Sequence, residues 1–269
     1  MKALVIGSGG FIGRHLVKRL KILEFEVIEA NRYSFYQYYD GNYLKDLIKK
    51  HKPEYIFNLS AYGNMYYQTD TEEIIKANIT NVVSLLNWLK DEDIKSFVHV
   101  STSAVMLETQ NMYSITKQVS ENICGIFKRA YQMPIGIIRP MSVYGPNEWE
   151  GRFIPTTFRS CLTGELMDLE PDAIHDWIYI DDFVKDIVEF ATLIDESPTM
   201  QVRISGTGTM TKNKDVVKLI EKITKKKVHI RKKLQMRHLD WTNIQSQKLT
   251  NDTTVSLENG LRKVYNESI

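Results

Sequence analysis

Two cysteines in 269 residues leave little room for metal or disulfide chemistry. Cys124 and Cys161 stand far apart, with no CxxC spacing and no histidine at zinc-ligand distance. That pattern excludes a disulfide framework and the standard zinc arrangements, and it fits a reducing compartment. Excess charge of one sign is equally scarce. The 35 Lys and Arg against 33 Asp and Glu leave a net charge of +2, which argues against general binding to nucleic acid or a membrane surface. Long apolar runs are missing too. The opening MKALVIGSGG carries one basic residue and a short apolar run, too short for a signal peptide, and no segment approaches the ~20 apolar residues needed to cross a bilayer. No repeat or low-complexity stretch is present. The expectation is a cytoplasmic protein without metal, membrane or nucleic-acid partner.

What the chain does have is ordinary globular material, 43% hydrophobic and 25% charged, arranged in a regular alternation. Apolar strands are expected at 2–7, 26–31, 54–60, 96–101 and 135–140. Helical periodicity falls between them, at 11–23, 42–51, 71–90 and from about Tyr113 onward. Strands alternating with helices of ten or more residues are βαβ units, which predict an α/β fold: a Rossmann-like, doubly wound parallel sheet with helices on both faces. From about residue 146 the rhythm breaks into a helix near 153–163, a short strand at ELMDL, and WIYI leading into a helix over 181–194. Beyond these come VRIS, a helix near 211–224, an alternating KVHIRK and a helix near 255–265. The expected division is a dinucleotide-binding domain over 1–145 with 176–200. The rest, 146–175 with 201–269, forms a smaller C-terminal substrate-binding lobe.

Gly7-Ser8-Gly9-Gly10-Phe11-Ile12-Gly13 closes the first strand and opens the first helix. A tight turn there needs residues without Cβ, the backbone must come close to a pyrophosphate, and the helix N-terminus supplies partial positive charge. Glycines punctuate many turns, but between strand one and helix one of a βαβ unit they predict dinucleotide binding. A second signal is MYSITKQVSENI (112–123), which places Tyr113 four residues ahead of Lys117 on one helix face. Among fourteen tyrosines this is the one followed at that spacing by a basic residue. Chance alone could supply one such pair.

The spacing Gly7-x-x-Gly10-x-x-Gly13 together with Tyr113 and Lys117 resembles the extended branch of the short-chain dehydrogenase/reductase superfamily, the NAD-dependent epimerase/dehydratase family. Five further segments carry the resemblance in order: NLSAYG (58–63), KANITNVVSLL (76–86), FVHVSTSAV (97–105), IRPMSVYGP (138–146) and IHDWIYIDD (174–182). The resemblance implies an enzyme acting on a nucleotide-linked sugar, with the cofactor held by Gly7, Gly10, Phe11, Ile12, Gly13, Leu59, Ser60, Ala61 and Asn78. It implies that Tyr113 exchanges a proton with the reacting oxygen while Lys117 holds the nicotinamide ribose, and that Thr102 hydrogen-bonds that oxygen. An ammonium near a phenol favours the phenolate, moving its pKa down from ~10 toward neutral, which suits acid–base work. Ser103, Ser142 and His175 fall at substrate-contacting positions. Ser142 stands where the family usually has Asn, and His175 where it usually has an Arg for the diphosphate; Arg152, Arg159 and Arg237 are other candidates for that contact.

Strand two ends EANR. A carboxylate there would accept from both ribose hydroxyls. Asn31 followed by Arg32 suits a 2′-phosphate instead, so NADP(H) is favoured, with NAD(H) as the alternative should Glu29 or Asp40 take the acidic role. Asp40 is otherwise expected beside the adenine. Sugar 4,6-dehydratases of the family carry an Asp-Glu pair directly after the threonine; here Ser103 and Ala104 occupy those positions, which disfavours water elimination. The expected activity is a 4-ketoreductase, with a nucleotide-sugar epimerase retaining NAD as the alternative. A non-catalytic dinucleotide-sensing regulator is the alternative of another class, and the Tyr–Lys pair speaks against it. In the family, helices corresponding to 71–90 and 113–131 pair in dimers, so a homodimer is expected. The basic run KKKVHIRKK (225–233) reads as a strand with one solvated face, and the tyrosine-rich RYSFYQYYDGNY (32–43) as packing around adenine.

Overall fold

The structure, a computed structural model, describes residues 1–31, 42–233, 247–248 and 255–267. In chain order the strands are β1 (Lys2–Ile6), β2 (Glu26–Ala30), β3 (Tyr55–Asn58), β4 (Ser96–Val100), β5 (Ile135–Pro140) and β6 (Ser142–Tyr144). They continue as β7 (Met167–Leu169), β8 (Ile174–Tyr179), β9 (Gln201–Gly206), β10 (Met210–Lys212), β11 (Ile230–Lys233) and β12 (Gln247–Lys248). The helices are α1 (Phe11–Ile22), α2 (Asn42–His51), α3 (Thr71–Ile75), α4 (Asn81–Leu89), α5 (Met112–Tyr131), α6 (Phe153–Thr163), α7 (Ile180–Leu193), α8 (Asn213–Thr224) and α9 (Leu257–Glu267).

The chain divides into two units: Met1–Val105, Gln110–Arg139 and Val184–Arg203 form the first; Met106–Thr109, Pro140–Phe183 and Ile204–Ile269 form the second. The first is built on strands in the order β9-β5-β4-β3-β1-β2. The pairs β1–β2, β1–β3, β3–β4 and β4–β5 are all parallel, with Leu4 beside Ile28 and Ile56, and Phe97 beside Ile56 and Ile135. Covered on both faces, such strands read as near-continuous apolar runs; KALVI is buried at four of its five positions and SFVHV at all five. One core cluster joins Leu4, Ile6, Ile56 and Phe97 of the strands to Leu44 and Ile48 of α2 and to Val82, Leu85, Leu86 and Leu89 of α4. This is the Rossmann-like parallel sheet, flanked by helices, that the alternation predicts.

The second unit pairs β6 with β8 in parallel and β8 with β10 antiparallel, and it pairs β7 with β11 in parallel. α9 lies against β6 and β8 at Gly260, where any added Cβ would meet the Tyr144 hydroxyl. The basic run is largely exposed, and its charges are shared with neighbours: Lys227 reaches Glu221 at 2.8 Å and Arg231 reaches Asp168 at 2.9 Å.

Candidate functional site

The loop between β1 and α1 is drawn onto the end of β2: the N–H groups of Gly7 and Ser8 both donate to Ala30 O, at 2.7 and 3.2 Å. Gly7 has φ +88°, and a Cβ on it would press on the carbonyl carbon of Leu59 at 3.1 Å and on Ser60 N at 3.2 Å. A Cβ on Gly13 would fall onto Gly7 O. Both positions therefore require glycine, one for conformation and both for space. Gly10 N donates to Gly7 O at 3.0 Å and caps α1 without a side-chain acceptor. With no carboxylate in that first turn, the N–H groups of Phe11, Ile12 and Gly13 have no acceptor inside the helix and face an anion site by geometry and dipole. Leu59 N donates to Ile6 O at 2.9 Å, which brings Leu59, Ser60 and Ala61 alongside. This cradle fits the diphosphate of a dinucleotide.

Asn31 follows β2 beside the loop; its Cβ lies 3.5 Å from where a Cβ on Gly9 would stand. Glu29 is held by Lys21 of α1 at 2.8 Å. Arg32, Asp40 and Arg237 lie outside the described residues.

α5 begins with a capping box. Asn111 accepts from Ser114 N at 3.0 Å, and Ser114 Oγ accepts from Asn111 N at 2.9 Å. The box fixes the start of the helix and so places Tyr113, half-buried, in its first turn, with Lys117 one turn deeper. Lys117 is fully buried. Its Nζ donates to Val100 O at 2.8 Å and lies 3.2 Å from His99 Nε2. Burial lowers its pKa from the usual lysine value to about 8, opposed by Cys124 and Glu121. Glu121 in turn binds Arg139 through both oxygens. Thr102 lies two residues beyond β4, its Oγ1 accepting from Ala104 N at 3.2 Å; Ser103 is buried in the short 3-10 turn that follows.

Asn78 sits at the centre of a π-helical turn, Lys76–Thr80, between α3 and α4. It is fully buried. Its Nδ2 donates to Tyr62 O and Thr116 Oγ1, both at 2.9 Å, and its Oδ1 accepts from Tyr62 N at 3.0 Å. The family resemblance places Asn78 beside the cofactor. The structure shows a brace that ties the loop after β3 to α5.

In the second unit Ser142 Oγ lies 3.1 Å from His175 Nδ1. Burial lowers the His175 pKa to about 4, so the ring is neutral at physiological pH and offers a hydrogen bond, not a charge, where the family has Arg. Arg159 is engaged by Glu165 at 2.7 Å. Glu148 escapes sequence reasoning: its Oε2 is buried with no hydrogen-bond partner among the described residues, and burial raises its pKa to about 8 against the pull of Arg152. His99 escapes too, although a histidine inside the apolar strand FVHV is the one visible signal.

The model of the NAD dependent epimerase/dehydratase family matches residues 3–202. The chain belongs to that family. Its members are short-chain dehydrogenase/reductase enzymes, so this epimerase/dehydratase family protein is an enzyme of that type. It is similar to a dTDP-D-glucose 4,6-dehydratase of Dictyostelium discoideum, 23% identical over 274 positions that cover 83% of this chain and 62% of that protein. The chain thus spans less than two thirds of that relative's length. An uncharacterized UDP-glucose epimerase of Bacillus subtilis (strain 168) is 27% identical, covering 97% of this chain and 96% of its own. A UDP-glucuronic acid 4-epimerase from Bacillus cereus, solved with UDP-glucuronic acid and NAD, shares the fold with a TM-score of 0.84 at 22% identity, covering 99% of this chain and 98% of that one.

Proposed function

We propose that the protein is an NADP(H)-dependent oxidoreductase acting at a keto carbon of a nucleotide-linked sugar, a 4-ketoreductase. The observation that carries this reading is the end of β2: Glu29 is paired with Lys21, and among the described residues the uncharged Asn31 stands beside the glycine loop. A carboxylate there would repel a 2′-phosphate; an amide does not. Gly7, Gly10, Phe11, Ile12 and Gly13 would hold the diphosphate, with Leu59, Ser60 and Ala61 alongside and Asn78 keeping that edge in place. When bound, the nicotinamide supplies or accepts the hydride. Tyr113 then delivers a proton to the reacting oxygen, Thr102 donates a hydrogen bond to the same oxygen, and Lys117 beneath them adjusts the proton affinity of the pair. Ser103 and Ala104 stand where dehydratases of the family carry an Asp-Glu pair, which speaks against dehydration. Ser142 and His175 contribute to substrate recognition as neutral hydrogen-bonding groups.

A second reading is an epimerase with retained NAD, supported by the likeness to the Bacillus cereus epimerase solved with NAD. Titration with NADPH and NADH, followed by turnover of nucleotide-linked 4-keto sugars, separates the two. NADPH preference with net oxidation of the cofactor supports the reductase; co-purifying NAD without net turnover supports the epimerase. The Tyr113→Phe enzyme is expected to retain cofactor binding and lose about 10²–10⁴-fold in hydride transfer.

We also propose a homodimer. Met112, Ile115, Val119 and Ile126 share one face of α5, exposed at 37%, 43%, 36% and 56%, and an apolar stripe of that length on a soluble helix calls for a cover.

A further inference from the structure

We propose that Asn58 and His99 are positioning residues that set the proton affinity of Lys117, Asn58 by fixing the tautomer of the His99 ring. The inference rests on the role assigned above to Lys117. Asn58 ends β3 and is buried; its Oδ1 faces the backbone N–H of Ser60 at 3.3 Å and the Ser60 hydroxyl at 2.6 Å. A backbone N–H can only donate, so the atom facing it is the amide oxygen. The amide nitrogen therefore points the other way, 3.2 Å from His99 Nδ1. It too can only donate, which leaves Nδ1 as the acceptor and the proton of the neutral ring on Nε2.

That proton lies between two groups. Ser120 Oγ is 3.0 Å from Nε2 and donates its own hydrogen to Lys117 O at 2.7 Å, so its oxygen is free to accept. Lys117 Nζ is 3.2 Å from the same nitrogen. A neutral imidazole cannot accept at both nitrogens. With Asn58 occupying Nδ1, an ammonium on Lys117 meets an N–H where it needs a lone pair, and among the described residues Val100 O alone takes its protons. A neutral amine resolves the conflict: it accepts from His99 Nε2–H and still donates to Val100 O. Burial acts in the same direction, and the His99 pKa is itself driven well below the ordinary value by burial and by Lys117, so the ring stays neutral.

Among the described residues the titratable and charged groups around this centre are few. On α5, Glu121 favours the ammonium but is engaged by Arg139 of β5, Cys124 is held as a thiol with its pKa pushed up to about 12, and Tyr113 lies one turn toward the N-terminus. On β4 there is His99 itself. The consequence is a lysine that gains and loses its proton close to neutral pH, its proton affinity set by the His99 tautomer that Asn58 fixes.

The test is made first on the cofactor-free protein. Nitrogen-15 NMR of the His99 ring is expected to show Nε2 protonated and Nδ1 bare; the reverse tautomer overturns the proposal without any mutation. Carbon-13 NMR of the Lys117 Cε across pH then gives its midpoint. Asn58→Asp, whose carboxylate accepts from Nδ1–H, and Asn58→Ser, whose hydroxyl can do the same without charge, are both expected to free the Nε2 lone pair and raise the proton affinity of Lys117 tenfold or more. A shift in the Asp variant alone is a charge effect and overturns the tautomer argument, as does an unmoved midpoint in both. In hydride transfer, the limb of the kcat/KM pH profile assigned to this pair moves by the same factor. The NMR outcomes do not depend on substrate, so a failed turnover assay and a failed tautomer assignment are told apart.

Discussion

Gly13 shows how much one atom decides at the loop. A Cβ there would overlap Gly7 O, so Gly13→Ala must push α1 away from the end of β1, and overpacking of this kind costs about 1–3 kcal/mol. Because the displaced atoms are those that would hold the cofactor diphosphate, the expected result is loss of dinucleotide binding by calorimetry that exceeds the fall in Tm. Lys117 gives the second prediction at this scale. Its folded pKa of about 8 lies below the unfolded lysine value of 10.5, so the unfolded chain binds more protons between those pH values and stability contributed by this group rises with pH across that window. Below pH 8 the folded protein carries the full burden of the buried proton, roughly 3 kcal/mol. Lys117→Met, close in length and without charge, is therefore expected to unfold at higher denaturant than the native chain at pH 7. The difference should shrink as pH approaches 10.5, and denaturant unfolding at several pH values checks it.

At the scale of the element, α5 depends on its first residues. Asn111→Ala removes the acceptor for Ser114 N and is expected to cost ~1 kcal/mol, with a larger fractional loss of activity because Tyr113 sits in the turn that frays. Most elements were legible from pattern alone: the helix at 153–163 and the strand at 135–140 match α6 and β5 residue for residue, because long apolar periodicity and flanking Gly, Pro and charge agree. The three-residue β6 and β10 were not, although the equally short β7 was visible within ELMDL; β10 takes residues that helical periodicity assigns to the start of α8. The strand expected at KVHIRK begins only at Ile230. The helix expected over 71–90 is interrupted by a π-helical turn, and hydrophobic spacing cannot distinguish a widened turn from a regular one. In the site the glycine loop and the Tyr113–Lys117 pair announced themselves by spacing. The Asn58–His99–Ser120 contacts did not, because they join three elements far apart in sequence.

For the whole molecule, the apolar stripe of α5 leads to a prediction on assembly. Ile126→Glu places a charge at the most exposed position of that stripe and is expected to shift a dimer to monomer by light scattering while leaving the fold, read by circular dichroism, unchanged. The parallel sheet itself was legible because β1 to β4 are each a short apolar run followed by helical periodicity, a combination that few architectures other than βαβ winding can bury. Within the chain the first compact unit resumes at Val184, inside α7, a boundary that nothing in the composition of a continuous helix marks.

The π-helical turn at Lys76–Thr80 makes the chain sensitive to length in a way that composition does not reveal. A widened turn accommodates one residue more than a regular one, and each residue of an α-helix advances the next by about 100°. Deleting a single residue between Lys76 and Thr80 would let the segment relax into unbroken α-helix. Either the Asn78 side chain would leave Tyr62 and Thr116, or Val82, Leu85, Leu86 and Leu89 would rotate out of the core. A relative one residue shorter here must have remade either its brace or its core, so the length of this helix records which of the two was kept.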